Sequence, residues 1–522
     1  MNALPYMLPE IILLIAAAVL FVLGTSVKPS IKRLTPVIAV FALIGAFFAS
    51  IVVDAGTGVV KDSVLVTNFS LYIKAISCAV ATLFVLLAWP TSKAGDGNDS
   101  INFSTETGEY FALLLLAVAG MCVTASANSL PTLFLGIELA SIPTYIMVTM
   151  SRPHLVAQEA GVKYFFLGAA SAAIMLMGMS FLFGVTGEMQ LTTIAASIGH
   201  HSGLASGGLA STGLASPLLL LAVVLIVVSF LFKLAAAPLH FYAGDVYQGA
   251  ATPVTAAISF IPKVTGTVAL LKILYVAGGG VWAFDPKLAQ LIWIIAILTM
   301  TVGNILGLLQ YNVKRVLAYS SIAHSGYILV GISTAMLVTS PEYRTQALAG
   351  VAFYLLAYGV MNTAAFGVLM LLPSKIRATA TTAETYDDIA GAGRKHPLLG
   401  LAMAVSCFSL IGMPATIGFF GKLYIVKPAI QSGQPILIWL AVATMINATI
   451  SAAYYLKIVA AMWSRTSADE NVEQQAEPAP QSLPVLAAVT LSVVGILAIG
   501  IILPLTGGLF AETKRVVQLL LG

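Results

Sequence analysis

The chain has 522 residues, of which 59% are hydrophobic and only 9% are charged, and its mean hydropathy is +0.98. A soluble globular protein carries about 25% charged residues, so this composition excludes a soluble domain and indicates a membrane protein. The net charge of +4 is too small to indicate nucleic-acid binding. Cys78, Cys122 and Cys407 lie in apolar stretches without CxxC spacing, so we predict no metal or iron–sulfur centre and no cofactor in this chain.

About fourteen apolar segments follow one another along the chain, and each is long enough to cross the hydrocarbon core of a bilayer. The first has no Lys or Arg before Leu13 and no small-residue cleavage site, which predicts a membrane span and not a signal peptide. The segments lie near 7–27, 34–53, 69–90, 109–126, 130–150, 157–184, 216–238, 252–276, 287–309, 313–338, 345–372, 397–430, 435–463 and 483–506.

Two of these segments are predicted to be broken in mid-membrane. The seventh contains Pro238 just after Lys233, and the twelfth contains Gly412 and Pro414 before Lys422. Proline removes a backbone donor, and the freed carbonyls in lipid must find protein or water partners. Interrupted helices at matching positions in two halves are typical of inverted repeats around an ion site. Two ordinary proline kinks are the alternative.

The breaks predict an all-α polytopic membrane protein with two inverted five-helix repeats, formed by segments four to eight and nine to thirteen. The corresponding regions are an N-terminal three-helix segment (1–108), a first repeat (109–280), a second repeat (281–465), and a C-terminal loop with segment fourteen (466–522).

Five ionisable residues lie inside the apolar segments: Glu138, Lys163, Lys233, Lys263 and Lys422. A charge at the bilayer centre costs roughly 2.5–3.5 kcal/mol even on the lenient insertion scale, so such residues mark ion pathways or buried pairs. A buried lysine can lose its proton near neutral pH. One acid followed by spaced lysines therefore indicates a chain of proton-holding sites.

Each charge also has a structural interpretation. Glu138 has no cation within reach on its own helix, so it needs a partner from another helix or must be protonated; a helix-packing ion pair is the alternative. Lys163 follows Glu159 by four residues and could pair with it, or could lie deeper as a relay partner of Glu138. Three further lysines are expected at membrane edges, where long side chains reach the interface: Lys74, Lys272 and Lys457.

Polar side chains form stripes on two later segments. Ser320, His324 and Tyr327 fall on one face of segment ten. The residues Tyr354, Tyr358 and Asn362 repeat every four positions on segment eleven. Such stripes can hold water chains or form hydrogen bonds between helices, and the sequence leaves both open. Among these residues, His324 is the strongest candidate for proton transfer because its side chain can titrate.

Charge placement predicts the orientation. The positive-inside rule puts the odd-numbered connections in the cytoplasm and both termini on the outer side, although Lys514 and Arg515 count against it. The odd connections carry Lys28, Lys32, Arg33, Lys93, Arg152, Lys314, Arg315, Lys375, Arg377, Arg394, Lys395 and Arg465, and the even ones carry Lys61, Lys287 and Arg344.

Three runs carry a resemblance to a known family: PLHFYAGDVYQGAATPVTAAISFIPK (238–263), NILGLLQYNVKRVLAYSSIAHSGYIL (304–329) and GMPATIGFFGKLY (412–424). They resemble the antiporter-like membrane subunits of respiratory complex I, the proton-pumping NADH-quinone oxidoreductase. The string DVYQGA-x-TPVTA is most similar to the N branch, called subunit 2 in mitochondria and chloroplasts. A lysine in the broken twelfth segment argues against the M branch. The absence of a long lateral C-terminal helix argues against the L branch.

The resemblance implies roles for individual residues. Glu138 and Lys233 would form an interacting pair, Lys263 would link two half-channels, and Lys422 would be the outer exchange site. Lys163 and His324 match less firmly and are offered as relay residues.

The resemblance also implies that the chain works as part of a proton-translocating enzyme complex in the cell inner membrane and holds no flavin, cluster or quinone itself. Its partners would be a neighbouring M-type subunit, small subunits of the K, J and A types, and membrane lipids, with no nucleic acid. Two other functions stay open: a subunit of a multisubunit Na⁺/H⁺ antiporter, and a purely structural subunit. Ferredoxin could replace NADH as the donor.

Overall fold

The computed structural model describes residues 4–26, 28–53, 59–61, 63–89, 107–151, 155–201, 217–280, 282, 284, 286–372, 383–464, 482–506 and 513–515. Within this part of the chain nearly all residues are helical, which confirms the predicted all-α membrane fold class.

The helices follow the predicted order of the apolar segments. A 3₁₀ turn at Leu4–Met7 precedes them. They are α1 Leu8–Gly24, α2 Pro29–Lys32, α3 Thr35–Val52, α4 Asn68–Leu87, α5 Thr107–Ser126, α6 Leu130–Met150, α7 Leu155–Thr186, α8 Leu191–His201, α9 Pro217–Lys233, α10 Ala243–Gly249, α11 Thr252–Ala277, α12 Pro286–Leu308, α13 Val313–Leu337, α14 Pro341–Met370, α15 Tyr386–Ile389, α16 Ala392–Lys395, α17 Pro397–Ile411, α18 Ile417–Gln431, α19 Pro435–Trp463 and α20 Leu483–Thr506.

Twelve helices in the described ranges are long and apolar enough to cross a membrane. The helices α9 and α17 are apolar but shorter; α9 covers most of the seventh predicted segment, and α17 covers the first half of the twelfth. The count of fourteen spans and the inversion of the repeats stay predictions. The broken segment is nevertheless the fourth of five in each predicted repeat.

Both predicted breaks are present. Residues 234–242 between α9 and α10 and residues 412–416 between α17 and α18 are not helical. The peptide bond between Ala237 and Pro238 is cis, and Gly412 and Ala415 have positive φ. On the surface of this single chain, residues 413–415 of the second break are exposed, as are Pro238 and Phe241 of the first.

Some elements were not predicted. A small antiparallel hairpin pairs β1 Val59–Lys61 with β2 Val64–Val66, and Val64 also bridges to Ala127 at the end of α5. The Gly/Ser/Thr-rich connection after α7 contains α8, which is too short to span a bilayer. The hairpin is only three residues per strand, too short for an alternation signal.

Three helices form the centre of the protein. The whole of α11 is buried except at Lys272 and Tyr275, and α13 and α14 are buried over nearly their full length. Helices without a marked apolar face are expected in the interior of a bundle, where every face meets protein. The shells on either side, for example α3 and α19, expose large apolar side chains such as Phe41 and Trp439. The central helices therefore hold the polar residues away from lipid.

Small residues bring α12 and α13 into very close contact. A Cβ atom on Gly303 would lie 2.6 Å from the backbone nitrogen of Ala323, and a Cβ on Gly326 would lie 2.7 Å from that of Met300. Glycine is the residue that permits such backbone approach between membrane helices. The position of α13, and of His324 on it, is thus set by backbone contact.

Candidate functional site

Lys233 and Glu138 meet at the first break. The Nζ atom of Lys233, the last residue of α9, lies 3.2 Å from a carboxylate oxygen of Glu138 on α6. It also donates to Ser141 Oγ at 2.9 Å and Tyr145 Oη at 3.0 Å. The three partners lie at i, i+3 and i+7 on one face of α6. The structure therefore brings together the pair that the resemblance implied, and it supplies two further acceptors.

Lys263 lies at the centre of the fold, half-way along α11. Its side chain is buried, and Nζ donates to the carbonyl oxygen of Ser321 and, at 2.8 Å, to Ser325 Oγ. Ser325 Oγ in turn donates to the carbonyl oxygen of Leu234 at 2.5 Å, next to Lys233. Within the described residues, no acid forms an ion pair with Lys263. This lysine is held only by neutral groups, which can also stabilise its uncharged form.

A small cavity separates the first two lysines. Lys233, Lys263, Tyr164 and Tyr247 are among the residues that line it. The space accessible to a water molecule is about 10 Å³, which is roughly the volume needed to hold one water. A single water could therefore bridge Lys233 and Lys263.

His324 connects the centre to the second half of the chain. Its Nδ1 lies 2.5 Å from Tyr354 Oη and its Nε2 lies 3.1 Å from Tyr455 Oη. Tyr455 Oη is also hydrogen-bonded to Ser320 Oγ, one turn before His324. Sequence reasoning identified Ser320, His324 and Tyr354 as stripe residues but missed Tyr455. Tyr454 and Tyr455 are adjacent on α19, and the sequence carries no signal of which helix each one faces.

A ladder of hydroxyl groups lies beside this histidine. Ser321 Oγ is 2.9 Å from both Tyr247 Oη and Tyr358 Oη. Asn362 Nδ2 donates to Tyr358 Oη and to Ser259 Oγ, both at 2.7 Å. The polar stripe of α14 therefore does make hydrogen bonds between helices, which was one of the two interpretations left open.

Lys422 occupies the second break in a different environment. Its Nζ donates to the carbonyl oxygens of Leu410 at 3.0 Å and Ile411 at 2.8 Å. These carbonyls lack helical partners because α17 ends at Ile411. The same Nζ lies 4.5 Å from the centre of the Tyr327 ring, within the range of a cation–π contact. No acid in the described ranges forms an ion pair with it.

Lys163 lies away from this line. Its Nζ is 2.6 Å from Glu159 and 3.1 Å from Asp245, and its side chain is 42% exposed. The predicted pairing with Glu159 is confirmed, but the expectation of a deep position beside Glu138 is wrong. Helix α7 begins at Leu155, so Lys163 is only two turns from its start and reaches the surface.

Lys163 is part of a charged cluster at one end of the molecule. Arg315 Nη1 lies 2.8 Å from Asp245 and 3.0 Å from Gln248 Oε1. Nearby, the buried Lys314 donates to the Ala250 carbonyl at 2.6 Å and pairs with Glu384 at 3.2 Å. The starts of α7, α11 and α13 therefore share one polar end of the bundle.

One of the expected edge lysines, Lys74, does not reach the surface, whereas Lys272 lies near the end of α11. Lys74 is completely buried and forms a 2.7 Å ion pair with Glu10, which is also buried. Lys272 donates to the carbonyl of Ala127 at 2.6 Å and is only partly exposed. Glu10 lies three residues into the first predicted segment, on a different helix from Lys74. It reaches inward and gives Lys74 a partner.

Lys457 is exposed, as expected for an edge residue. Its Nζ lies 4.5 Å from the centre of the Tyr386 ring in α15, outside the spans. Burial raises the pKa of Tyr386 to about 12, so this ring stays neutral at physiological pH. This contact is a surface feature unconnected to the central line.

The family model described as the NADH:quinone oxidoreductase/Mrp antiporter transmembrane region matches residues 127–450. The NADH-quinone oxidoreductase subunit N of Trichlorobacter lovleyi is 38% identical over 95% of this chain and 93% of its own length. The chain belongs to the subunit N family of NADH-quinone oxidoreductase.

Solved structures agree on the fold. A chain of respiratory complex I from Thermus thermophilus, determined with bound aureothin, superposes with a TM-score of 0.72 at 27% identity over 96% of this chain and 98% of that chain. A chain of the Mrp complex from Dietzia sp. superposes with a TM-score of 0.77 at 18% identity over 100% and 99%. The fold alone therefore does not distinguish a complex I subunit from an Mrp subunit, whereas the sequence relatives do. The family members are subunits of an enzyme complex, and this chain is a multi-pass membrane protein.

Proposed function

We propose that this chain moves protons across the membrane through a relay of Glu138, Lys233, Lys263, His324 and Lys422. Quinone reduction elsewhere in a complex of the complex I type would drive it. The family supports the setting, because its named members belong to a quinone-reducing complex. The geometry supports the path.

The observation that carries the proposal is an almost continuous buried polar line between the two breaks. Lys233 and Lys263 are linked through Leu234 and Ser325. From Ser321, which accepts from Lys263, the line continues to Tyr358, whose ring lies 5.1 Å from that of His324. His324 also lies 5.5 Å from the Tyr327 ring that Lys422 covers.

The chemistry follows from what each group can hold. A lysine held by neutral oxygens can release its proton when a positive charge approaches, since little fixed negative charge opposes the change. Moving one charge across the membrane takes about 2.3 kcal/mol per 100 mV. Several sites divide this work into smaller steps. The tyrosines and serines between the lysines can pass a proton on through water.

Protons would enter at the charged end of the bundle. Glu159, Lys163 and Asp245 are among the residues that line an open cavity of about 180 Å³ there, and Arg315 pairs with Asp245 beside it. Under the orientation predicted from loop charges, this end faces the cytoplasm and both termini face outward. Lys163 would then belong to the inner mouth of the pathway and not to its centre.

We assign the exposed second break to a protein neighbour. Irregular backbone does not face lipid in the hydrocarbon core, and residues 413–415 are exposed on this chain. An M-type subunit or one of the small K, J and A types, as the resemblance implies, would cover it.

The direct test is substitution of Lys263, because its contacts lead to Lys233 on one side and toward His324 on the other. In NADH-driven vesicles that hold the whole complex, Lys263→Met should abolish most proton uptake while the complex assembles. Lys457→Met, an exposed lysine, is the matched control. Normal proton uptake with Lys263→Met would overturn the relay.

The similarity in fold to a chain of the Mrp complex favours one alternative, exchange of Na⁺ for H⁺. Such a function predicts Na⁺-dependent proton movement in vesicles without NADH. Proton uptake that depends on NADH and is unaffected by Na⁺ would exclude it.

A further inference from the structure

An open groove lies at the surface of the bundle, apart from the residues of the proposed relay. Its volume is about 600 Å³, and helices α3, α4, α14 and α20 all contribute to its walls. Cavities that hold small molecules in proteins usually measure about 300–1,000 Å³. We call this space the α3–α4 groove, and none of the relay residues is among the described residues that line it.

The walls of the α3–α4 groove are mostly hydrocarbon. Phe47 and Ile51 belong to α3, and the side chain of Ile51 is exposed. Leu71 comes from α4, Leu356 from α14 and Ile499 from α20. An occupant of this space therefore meets apolar surface, which favours a hydrocarbon chain over a polar ligand.

The mouth of the groove is polar. Asn68, the first residue of α4, and the exposed Arg515, which follows α20, both line the groove. Within the described residues no acid forms an ion pair with Arg515, whereas its neighbour Lys514 lies 3.8 Å from Glu342 in the first turn of α14. A guanidinium group binds a phosphate through two parallel hydrogen bonds. The charge at this mouth is therefore complementary to an anionic headgroup.

The depth of the groove corresponds to one leaflet of a bilayer. Its lining runs along α4 from Asn68 to Ala79, which is about 16.5 Å along the helix axis. The hydrocarbon core of a bilayer is about 30 Å thick, so this length is about half of it. Leu356, half-way along α14, also lines the groove. A helix of a neighbouring subunit would need the full thickness, whereas an acyl chain needs only one leaflet.

We propose that the α3–α4 groove binds one anionic phospholipid, with an acyl chain along α4 toward Ala79 and its phosphate on Arg515. The orientation predicted from loop charges places this lipid in the outer leaflet. The lipid joins the N-terminal helices α3 and α4 to α14 and α20, because all four contribute to the groove. Binding is non-covalent and does not depend on the relay.

Photolabelling of the whole purified complex tests the site. The probe is phosphatidylglycerol with a diazirine at the end of one acyl chain, added in limiting amount, and mass spectrometry locates the label. We expect label on α4 near Ala79. Arg515→Gln should lower it about tenfold, because a hydrogen-bonded charge pair is lost. Lys514→Gln is the matched control, with the same loss of charge outside the groove, and should change labelling less than about twofold.

Filling the groove is an independent test of the acyl-chain part. Ala79→Phe places an aromatic ring at the deep end and should remove most of the label from α4. Ala18→Phe, at an exposed position on α1, is the control for the added ring and should leave labelling unchanged. Full labelling of α4 with Ala79→Phe would overturn the proposed position of the chain.

Two other results would overturn the proposal. Absence of label on α3 and α4 in the assembled complex would mean that protein covers the groove. Equal labelling in Arg515→Gln and Lys514→Gln would mean that general attraction to a basic end brings the probe there. If Ala79→Phe does not assemble, competition decides instead. Unlabelled phosphatidylglycerol should displace the probe at about a tenth of the concentration that phosphatidylcholine needs, and equal displacement by both would overturn the site.

Discussion

The two broken segments hold their lysines by different means. At the first break, Lys233 faces the Glu138 carboxylate and two hydroxyl groups. At the second, Lys422 faces two backbone carbonyls and an aromatic ring. The first lysine is stabilised as a cation by a carboxylate, and the second by backbone dipoles and the face of the Tyr327 ring.

A broken helix and a carboxylate are therefore alternative ways to hold a cation inside the bundle. A carboxylate can itself take up a proton, so the first site has two protonation partners. The carbonyls of Leu410 and Ile411 cannot titrate, so the second site has one. We therefore expect the first site to respond to charge changes more strongly than the second.

The largest effect is expected from Lys233→Met. Removing this lysine leaves the Glu138 carboxylate buried without its cation, which destabilises a protein by about 3–5 kcal/mol. Proton uptake should stop as well. Thermal dissociation of the complex on native gels measures the first effect, and vesicle assays measure the second.

The double variant Lys233→Met/Glu138→Gln is the control for that interpretation. It removes both charges, so the complex should regain most of its thermal stability and still not pump. A double variant as unstable as Lys233→Met would show that the loss of stability comes from packing and not from the unpaired charge.

Lys422→Met should stop proton uptake with a smaller loss of stability. Its removal leaves two neutral carbonyls without a donor, which costs about 1–3 kcal/mol, less than a buried charge. Lys422→Arg keeps a cation there but should also fail to pump. Equal thermal destabilisation by Lys422→Met and Lys233→Met would contradict the comparison.

Glu138→Gln should lower proton uptake about tenfold while the complex assembles normally. The amide keeps the shape of the side chain and a hydrogen bond to Lys233 but removes the charge that holds its proton. Glu188→Gln, at an exposed position, is the matched control. Unchanged proton uptake with Glu138→Gln would show that the first lysine does not depend on its acid.

The smallest effect is expected at the connection between the two sites. Tyr354→Phe removes the hydroxyl that contacts His324 Nδ1 but leaves Tyr455 on the other ring nitrogen. We expect a decrease of about threefold in proton uptake, corresponding to the loss of one neutral hydrogen bond. Tyr424→Phe, a partly buried tyrosine, serves as the control. A complete loss of uptake with Tyr354→Phe would mean that His324 relies on this hydroxyl alone.

The two helix breaks that hold these lysines could be predicted from the sequence. Pro238 and Pro414 in apolar runs predict the breaks, because proline cannot continue the backbone ladder. The pairing of Lys233 with Glu138 came from the family resemblance, since nothing in helical spacing relates two residues on different segments.

Other features could not be predicted. The burial of Lys74 depends on Glu10 reaching across from another helix, and a charge near a segment end looks interfacial in sequence. Tyr455 faces His324 only because α19 packs against α13. The exposure of residues 413–415 reflects the outer shape of the bundle, which a one-dimensional pattern does not contain.

The glycine contacts between α12 and α13 limit how this molecule can switch. With the backbones at Gly303 and Gly326 in direct contact, α13 has little room to slide or rotate. Sliding and rotation of packed helices take microseconds to milliseconds, whereas side-chain rotamers change in picoseconds to nanoseconds. A switch at His324 would therefore work through a change of side-chain rotamer and the entry of water, while the backbones of α12 and α13 stay in place.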